Sequence, residues 1–327
     1  MMKNNIIVLG AGIFGTAIAN ELAVNSRNNV LLFSRNQEKV DEINECNTNK
    51  SCFPNKQLNK SLKATSNREL IKNAEVIFIA LPSFAIIDTL NKFKRYIENN
   101  PIVVNLSKGL FSPNLTIVDE IRRALETDNV TTLKGPSFAI EVMEHAETLL
   151  TLGYSKDYQL SRIRDVFKET VIHIDSTNDI KGVEMVSVLK NIYAVFLGIV
   201  DARCDSANTR FMMLTKSFSE IRVLLKLLGG KEETLFLACG FGDLCLTSLN
   251  DLSRNRTLGL LIGKGFFTGD YKSNSVILEG LNSLEMFHDI VDSSETKSLP
   301  IFNRLYSFFH SNKTDFNTEF NELLQDK

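Results

Sequence analysis

A strand-like apolar run followed at once by closely spaced glycines restricts the fold of this chain more than any other feature. The segment "IIVLGAGIFG" occupies residues 6–15. Glycine is required first for a tight turn, next for close approach of the backbone to a pyrophosphate, and last for close packing of the following helix. Gly10, Gly12 and Gly15 therefore form a candidate dinucleotide-binding turn, although a glycine-rich turn without a ligand is the alternative.

The first half of the chain alternates short apolar runs with amphipathic segments. Runs rich in Ile and Val predict strands, and their alternation with helical periodicity predicts a mostly parallel sheet covered on both faces. The predicted strands are residues 6–10, 30–33, 76–80, 102–106, 131–133, 149–152 and 171–174. The helix-like segments between the earlier strands are residues 14–25, 38–46, 84–96 and 115–125.

The pattern changes after Asp179, where strand-like runs end and helical periodicity dominates. A chain of 327 residues also exceeds what one hydrophobic core usually serves. The sequence therefore predicts an α/β protein with an N-terminal Rossmann-type, mostly parallel sheet and a C-terminal all-helical domain. We expect a dinucleotide-binding domain over residues 1–178 and a helical substrate and catalytic domain over residues 179–327.

Composition excludes several classes of function. The net charge of -2 and the pI near 6.2 argue against a nucleic-acid partner. The four histidines are scattered without metal-ligand spacing, so we expect no metal site. Five cysteines without CxxC spacing indicate free thiols in a reducing cytoplasm. The longest apolar stretch, residues 183–200, includes Glu184 and Lys190, which favours a buried helix over a membrane span.

Lys190 is the one lysine in the apolar segment "SVLKNIYAVFLGIV", residues 187–200. Lysine is rarely buried without a partner. In one interpretation its stem packs in the core while its tip reaches water or Glu184. In the other it is an acid–base group in a partly dry site. The residues of this helix alone do not decide between the two.

Three further motifs follow predicted strands. After the strand in "LLFSRN", no acidic residue occurs until Glu38. Arg35 of this motif suits a ribose 2′-phosphate, and the alternative is that it is only a solvated surface residue. Lys108 of "NLSKGL" is placed to meet an anion, because ligands bind beyond the carboxyl ends of parallel strands. In "KGPSFA", Gly135 allows close approach, and Ser137 can cap a helix or donate to a ligand.

Two motifs of the helical half also carry polar groups suited to a ligand. In "SRNR", Arg254 offers a planar fork for a phosphate, with Ser253 and Asn255 as neutral donors. The alternative for this motif is a polar helix start. Asp243 of "GFGDL" is a candidate to orient a substrate hydroxyl or to hold a lysine.

Taken together and in order, these motifs resemble those of the bacterial-type NAD(P)-dependent glycerol-3-phosphate dehydrogenases. The matching segments are "GAGIFG", "SKG" at 107–109, "GPSFA" at 135–139, "LKN" at 189–191, "GDL" at 242–244, "SRNR" at 253–256 and "EG" at 279–280. The resemblance implies reversible reduction of dihydroxyacetone phosphate to sn-glycerol 3-phosphate with NADPH or NADH, supplying phospholipid synthesis. It further implies a homodimer that acts on a small phosphorylated substrate.

The resemblance also implies site residues. Lys190 would be the catalytic acid–base group. The residues that resemble the substrate set are Lys108, Gly135, Ser137, Lys190, Asp243, Ser253, Arg254 and Asn255. The residues that resemble the cofactor set, beside the three glycines, are Ile13, Phe14, Arg35, Lys108, Ala139, Arg254, Ile277 and Glu279.

Two other functions remain open from the sequence. Another two-domain dehydrogenase, of the 6-phosphogluconate or 3-hydroxyacyl-CoA type, shares the expected architecture, and fold does not fix substrate. A non-catalytic nucleotide sensor would keep the glycine turn without the reaction. Retention of Lys190 together with "SRNR" speaks against the sensor.

Overall fold

The computed structural model describes residues 3–112, 115–266, 279–288, 290–291 and 298–310. The chain separates into two compact units. The first comprises Met1–Phe111 and Leu115–Glu184, and the second comprises Ser112–Asn114 and Met185–Lys327.

Strands of the first unit form one large sheet. Its eight strands are β1 (Asn4–Leu9), β2 (Asn28–Phe33), β3 (Lys63–Thr65), β4 (Val76–Ile79), β5 (Ile102–Asn105), β8 (Val130–Lys134), β9 (Thr148–Gly153) and β10 (Ile172–Thr177). Two short strands, β6 (Leu110–Ser112) and β7 (Leu115–Thr116), pair separately.

The large sheet has the order β10-β9-β8-β5-β4-β1-β2-β3. Neighbouring strands are parallel, as in the register Ile6↔Val30, except that β8 and β9 are antiparallel. The predicted mostly parallel sheet is thus confirmed, and all seven predicted strands lie in it. Sequence reasoning missed β3, because three residues with one exposed lysine give no apolar run.

Both faces of the sheet are buried. Along β1, Ile6 and Val8 join one apolar core, whereas Ile7 and Leu9 join the other. This alternation is the pattern expected when helices cover both sides of a parallel sheet. The helices of this unit are α1 (Ile13–Leu22), α2 (Gln37–Asp41), α3 (Ile86–Phe93), α4 (Ile117–Leu125), α5 (Ala139–Met143) and α6 (Asp157–Val166).

From Met185 onward, the regular secondary structure of the described residues is helical. Its helices are α7 (Ile180–Arg203), which begins in the first unit, and then α8 (Ala207–Leu227), α9 (Asp243–Leu249), α10 (Arg254–Gly263), α11 (Glu279–His288) and α12 (Pro300–His310). A 3₁₀ segment, Glu232–Phe236, and a π-helical turn, Ala238–Gly242, precede α9.

The long helix α7 is apolar enough by length and composition to cross a membrane, but its most apolar window is entirely buried within the protein. Asp179 precedes it and accepts a hydrogen bond from the Gly182 N–H at 2.9 Å, which satisfies one of the free donors of the first turn. The predicted buried helix is therefore confirmed.

Glycines bring α7 and α10 into close contact. A Cβ on Gly198 would collide with the Arg256 carbonyl oxygen, and one on Gly259 would collide with the Val195 carbonyl oxygen. Farther along both helices, a Cβ on Gly263 would meet Ile199 at 2.9 Å. The contacts advance in the same direction on both helices, so the start of α10 points toward the half of α7 that contains Lys190.

Candidate active site

The glycine-rich turn joins β1 to α1, and it is closely packed at Gly10 and Gly15 but open at Gly12. Gly10 has φ +114, and a Cβ there would meet the Ala80 carbonyl oxygen at 2.5 Å. A Cβ on Gly15 would collide with the Gly10 carbonyl oxygen, whereas one on Gly12 would have no neighbour within 4 Å. The turn is therefore tight where it packs on the sheet and unobstructed where a ligand would approach.

Helix α1 starts at this turn without a side-chain cap for its first backbone N–H groups. Gly12 is its N-cap residue and provides no side-chain cap, and the first turn contains no acidic residue. Ile13 is 55% exposed and Phe14 is partly buried beside it. Free N–H groups at the positive end of a helix dipole suit a pyrophosphate, so this turn fits the dinucleotide that the sequence predicts.

The end of β2 carries a cation but no carboxylate. Ser34 is buried, and its Oγ accepts a hydrogen bond from the Asn36 N–H at 3.2 Å. Arg35 is exposed. An arginine here suits a ribose 2′-phosphate, and the adjoining serine hydroxyl keeps a proton to donate.

Two loops follow the carboxyl ends of neighbouring strands β5 and β8. Lys108 lies in the first and is partly exposed. Gly135 lies in the second with φ +155, and a Cβ there would meet the Leu149 carbonyl oxygen at 2.9 Å. Ser137 is half-buried with its Oγ 3.3 Å from the Gly135 carbonyl oxygen, and Ala139 begins α5. Because β5 and β8 are adjacent, these predicted contacts share one edge of the sheet.

A buried ion pair lies at the ends of the strands that precede those loops. Lys134, the last residue of β8, has its Nζ 3.0 Å from Glu184 Oε1, and both side chains are 1% exposed. The same ammonium donates to the Asn105 carbonyl oxygen at 2.9 Å. Glu184 also accepts hydrogen bonds from the Asn105 Nδ2 at 2.9 Å and from the Thr132 hydroxyl. The ends of β5 and β8 are thereby tied to the first turns of α7.

Lys190 lies six residues farther along α7 and forms a second buried pair. Its Nζ lies 3.0 Å from Asp243 Oδ1, and the two side chains are 4% and 2% exposed. The ammonium also donates to the Thr247 Oγ1 at 2.5 Å, and that hydroxyl is 3.3 Å from the same Asp243 oxygen. Three polar groups thus meet at a buried stretch of α7.

The turn before α9 places Asp243. A Cβ on Gly240 would collide with the Leu235 carbonyl oxygen, so only glycine fits in this π-helical turn. Such turns inside helical regions often occur at functional sites. Asp243 is the first residue of α9 and Thr247 is one helical turn later, so both face Lys190 from the same side of that helix.

The two arginines of "SRNR" have different surroundings at the start of α10. Ser253 is the N-cap and accepts a hydrogen bond from the Arg256 N–H at 3.3 Å. Arg256 is buried and pairs with Asp201 and, at 3.0 Å, with Asp251. Arg254 is exposed at the first position of the helix, with Asn255 half-buried beside it. Arg254 is therefore the arginine available to an anion, and Arg256 holds the helix.

Not every predicted contact can be placed. Ile277 lies outside the described residues, as does the side chain of Glu279, the first residue of α11. No cluster of His, Cys, Asp and Glu suited to a metal occurs among the residues that the structure describes.

The sequence did not predict the roles of Thr247 and Lys134, nor the ion pair between Lys134 and Glu184. Thr247 was detectable as the residue one turn after Asp243. The partner of Lys134 was not, because it depends on pairing across 50 residues of chain (184 minus 134).

Comparisons with known proteins cover both units. Residues 5–160 match the family described as the NAD-dependent glycerol-3-phosphate dehydrogenase N-terminus, and residues 179–317 match its C-terminus. A glycerol-3-phosphate dehydrogenase [NAD(P)+] from Methanothermobacter thermautotrophicus is 33% identical over 304 residues, covering 92% of each chain. One from Clostridium acetobutylicum is 32% identical over 310 residues, covering 94% of this chain and 93% of that one.

A solved structure agrees with the sequence matches. The crystal structure of glycerol-3-phosphate dehydrogenase from Coxiella burnetii superposes with a TM-score of 0.83 at 28% identity, covering 99% of each chain. A glycerol-3-phosphate dehydrogenase from Plasmodium falciparum, at 21% identity, shares the fold with a TM-score of 0.89. These matches favour neither a different two-domain dehydrogenase nor a nucleotide sensor.

Proposed function

Because the chain belongs to the NAD-dependent glycerol-3-phosphate dehydrogenase family, we propose that Lys190 is the acid–base residue of its reaction. The reaction is the reversible reduction of dihydroxyacetone phosphate to sn-glycerol 3-phosphate with NADH or NADPH. The observation that carries the assignment to Lys190 is its buried ammonium 3.0 Å from Asp243 on a buried stretch of α7.

Lys190 handles the proton of the reaction. The bound cofactor supplies or accepts the hydride at the substrate carbon. In reduction, the Lys190 ammonium donates a proton to the carbonyl oxygen of the substrate, and in oxidation the amine takes it back from the hydroxyl. Asp243 and Thr247 fix the direction of the ammonium. Exclusion of water from the site strengthens the interaction of the Lys190 ammonium with the negative charge that develops on the substrate oxygen.

The substrate phosphate is bound by the Arg254 guanidinium and by the N-terminus of α10. Arg254 presents an exposed guanidinium at the start of α10, a helix of 10 residues whose N-cap is Ser253. A planar fork next to free backbone donors suits a phosphate monoester. The remaining substrate contacts of the proposal are Lys108, Gly135, Ser137, Asp243 and Asn255.

Cofactor binding is assigned mainly to the first domain, residues 1–178, and substrate and catalytic residues are assigned mainly to the second, residues 179–327. Contacts to the cofactor are Gly10, Gly12, Ile13, Phe14, Gly15, Arg35, Lys108, Ala139, Arg254, Ile277 and Glu279. Support comes from the open face of Gly12 and the uncapped start of α1.

We also propose a homodimer in the cytoplasm whose product serves phospholipid synthesis. All five cysteines are free, which supports a reducing compartment. Light scattering after size exclusion tests the dimer.

The assay for the function follows NADPH absorbance with dihydroxyacetone phosphate as substrate. Oxidation of NADPH that depends on this ketone is expected. No turnover with either reduced cofactor, in protein shown to be folded, would contradict the function.

A further inference from the structure

A second cation, besides Arg35, contacts the dinucleotide turn. Lys39 belongs to α2, the short helix that follows β2, and its Nζ donates to the Ala11 carbonyl oxygen at 3.1 Å. Ala11 lies between Gly10 and Gly12 of the turn. The ammonium is thus fixed against the backbone of the segment that approaches the cofactor.

The partners of this ammonium are neutral. Besides Ala11, it contacts the Cys52 thiol at 3.9 Å. The Ala11 carbonyl also accepts from the Asn49 Nδ2 at 3.4 Å, and Asn49 in turn donates to Thr16 at 2.9 Å. Lys39 is partly buried, and no carboxylate oxygen of the described residues lies within ion-pair distance of it.

Nearby carboxylates are engaged elsewhere. Glu42 accepts from the Lys50 N–H at 2.8 Å and from the Thr48 hydroxyl at 2.7 Å, and these bonds lower its pKa. Asp41 accepts from Gln37 at 2.7 Å. Glu42 also interacts with the Lys39 charge through space, but the hydrogen-bond partners of the ammonium are neutral, so an anion bound here would gain a direct charge-assisted contact.

We propose that Lys39, together with Arg35, recognises the 2′-phosphate of the adenosine ribose and gives the enzyme its affinity for NADPH. The inference rests on the proposed function, because it concerns the cofactor of that reaction. Arg35 and Lys39 are four residues apart after β2, where doubly wound folds contact the ribose hydroxyls. Arg35 is exposed and screened by salt, whereas Lys39 is held in place and partly desolvated.

A structural role for Lys39 makes a different prediction. If the ammonium only fastens the turn at Ala11, its loss weakens every nucleotide that binds the turn. If it contacts the 2′-phosphate, its loss weakens ligands that carry this group and spares those that lack it. The ratio of the two affinities therefore separates the roles.

The experiment is calorimetric titration with adenosine 2′,5′-bisphosphate and with 5′-AMP, which differ by that phosphate. We expect the wild type to bind the bisphosphate more tightly. Lys39→Met should weaken bisphosphate binding roughly tenfold and leave 5′-AMP binding unchanged, since one charge-assisted contact is lost. Lys39→Gln keeps a donor for Ala11 without the charge and should give the same result. Lys63→Met, which removes an exposed lysine at the start of β3, is the matched control.

Equal losses for both nucleotides in the Gln variant, or no loss for the bisphosphate, would overturn the assignment to Lys39. Turnover of the wild type with dihydroxyacetone phosphate, measured in parallel, separates this failure from that of the function itself. A wild type that binds neither nucleotide and reduces no ketone would overturn both.

Discussion

The two units each bury one lysine against one carboxylate, with the same separation and very different surroundings. Lys134 and Lys190 both lie 3.0 Å from their partners, Glu184 and Asp243, and all four side chains are almost completely buried. Lys134 sits at a strand end, where it also donates to a backbone carbonyl. Lys190 sits within a long apolar helix and meets a hydroxyl and a carboxylate from α9. Burial and pairing therefore do not by themselves identify a catalytic lysine.

The difference lies in what each pair is built from. Glu184 is held by an ammonium, an amide and a hydroxyl that all belong to the sheet or its edge, so the pair fastens β5, β8 and the start of α7. Asp243 follows a π-helical turn in which only glycine fits at position 240. π-Helical turns often occur at functional sites, whereas a network of hydrogen bonds at strand ends rigidifies a protein core.

Removing the ammonium from the structural pair should cost the most stability. Lys134→Met leaves Glu184 buried without its cation, and breaking such a pair typically costs about 3–5 kcal/mol. The double variant Lys134→Met/Glu184→Gln should recover part of this loss. Urea unfolding of the wild type and both variants measures it. A single variant as stable as the wild type would show that the pair does not hold the strand ends.

A third buried carboxylate shows what happens when hydroxyl and backbone donors replace the lysine. Glu220 on α8 accepts from Tyr193 at 2.9 Å and from the N–H groups of Ile301 at 2.6 Å and Phe302 at 2.9 Å. Burial raises the pKa of Glu220 to about 7, although these three donors favour the charged form. Tyr193 is fully buried, and the same burial raises its pKa well above 10.0.

The stability contributed by Glu220 should therefore depend on pH. Its folded pKa lies above the ordinary 4.5, so the folded state binds the proton more tightly. That stability is present below about pH 4.5 and is lost as pH rises through 7, by up to about 3 kcal/mol. Glu220→Gln should lose this slope between pH 5 and 8 in urea unfolding, with the exposed Glu233→Gln as control. A slope shared equally by wild type and Glu220→Gln would contradict the shift.

The arginines of "SRNR" repeat the contrast on a smaller scale. Arg254 is exposed, whereas Arg256 is paired with Asp201 and Asp251. Arg254→Ala should raise KM for dihydroxyacetone phosphate by roughly 10- to 100-fold, corresponding to about 1.5–3 kcal/mol, and should affect unphosphorylated dihydroxyacetone less. Arg256→Ala should instead lower stability. Equal kinetic losses of Arg254→Ala with both ketones would show that this residue does not contact the phosphate.

Local patterns predicted much of the fold but little of how the buried charges are paired. Strand β4 is four apolar residues in sequence and was predictable, whereas β3 has no such run. The predicted helix over residues 38–46 divides into α2 and a π-helical turn, Glu42–Cys46, which Asn47 ends with φ 52. Lys190 was conspicuous in the sequence, but its partners come from 53 residues or more along the chain (243 minus 190). Such pairing depends on tertiary contacts that periodicity does not contain.

We propose that Lys190, and not Lys134, exchanges the proton with substrate. The most direct measurement is kcat for NADPH oxidation with dihydroxyacetone phosphate in Lys190→Met and Lys134→Met, corrected for the folded fraction, alongside titration of each with NADPH. We predict that Lys190→Met lowers kcat by roughly 10²–10⁴-fold while its affinity for NADPH is preserved. Lys134→Met should lose stability but keep kcat near that of the wild type. A Lys190→Met enzyme with more than about a tenth of wild-type kcat would contradict the claim, because loss of an acid–base group costs far more than that.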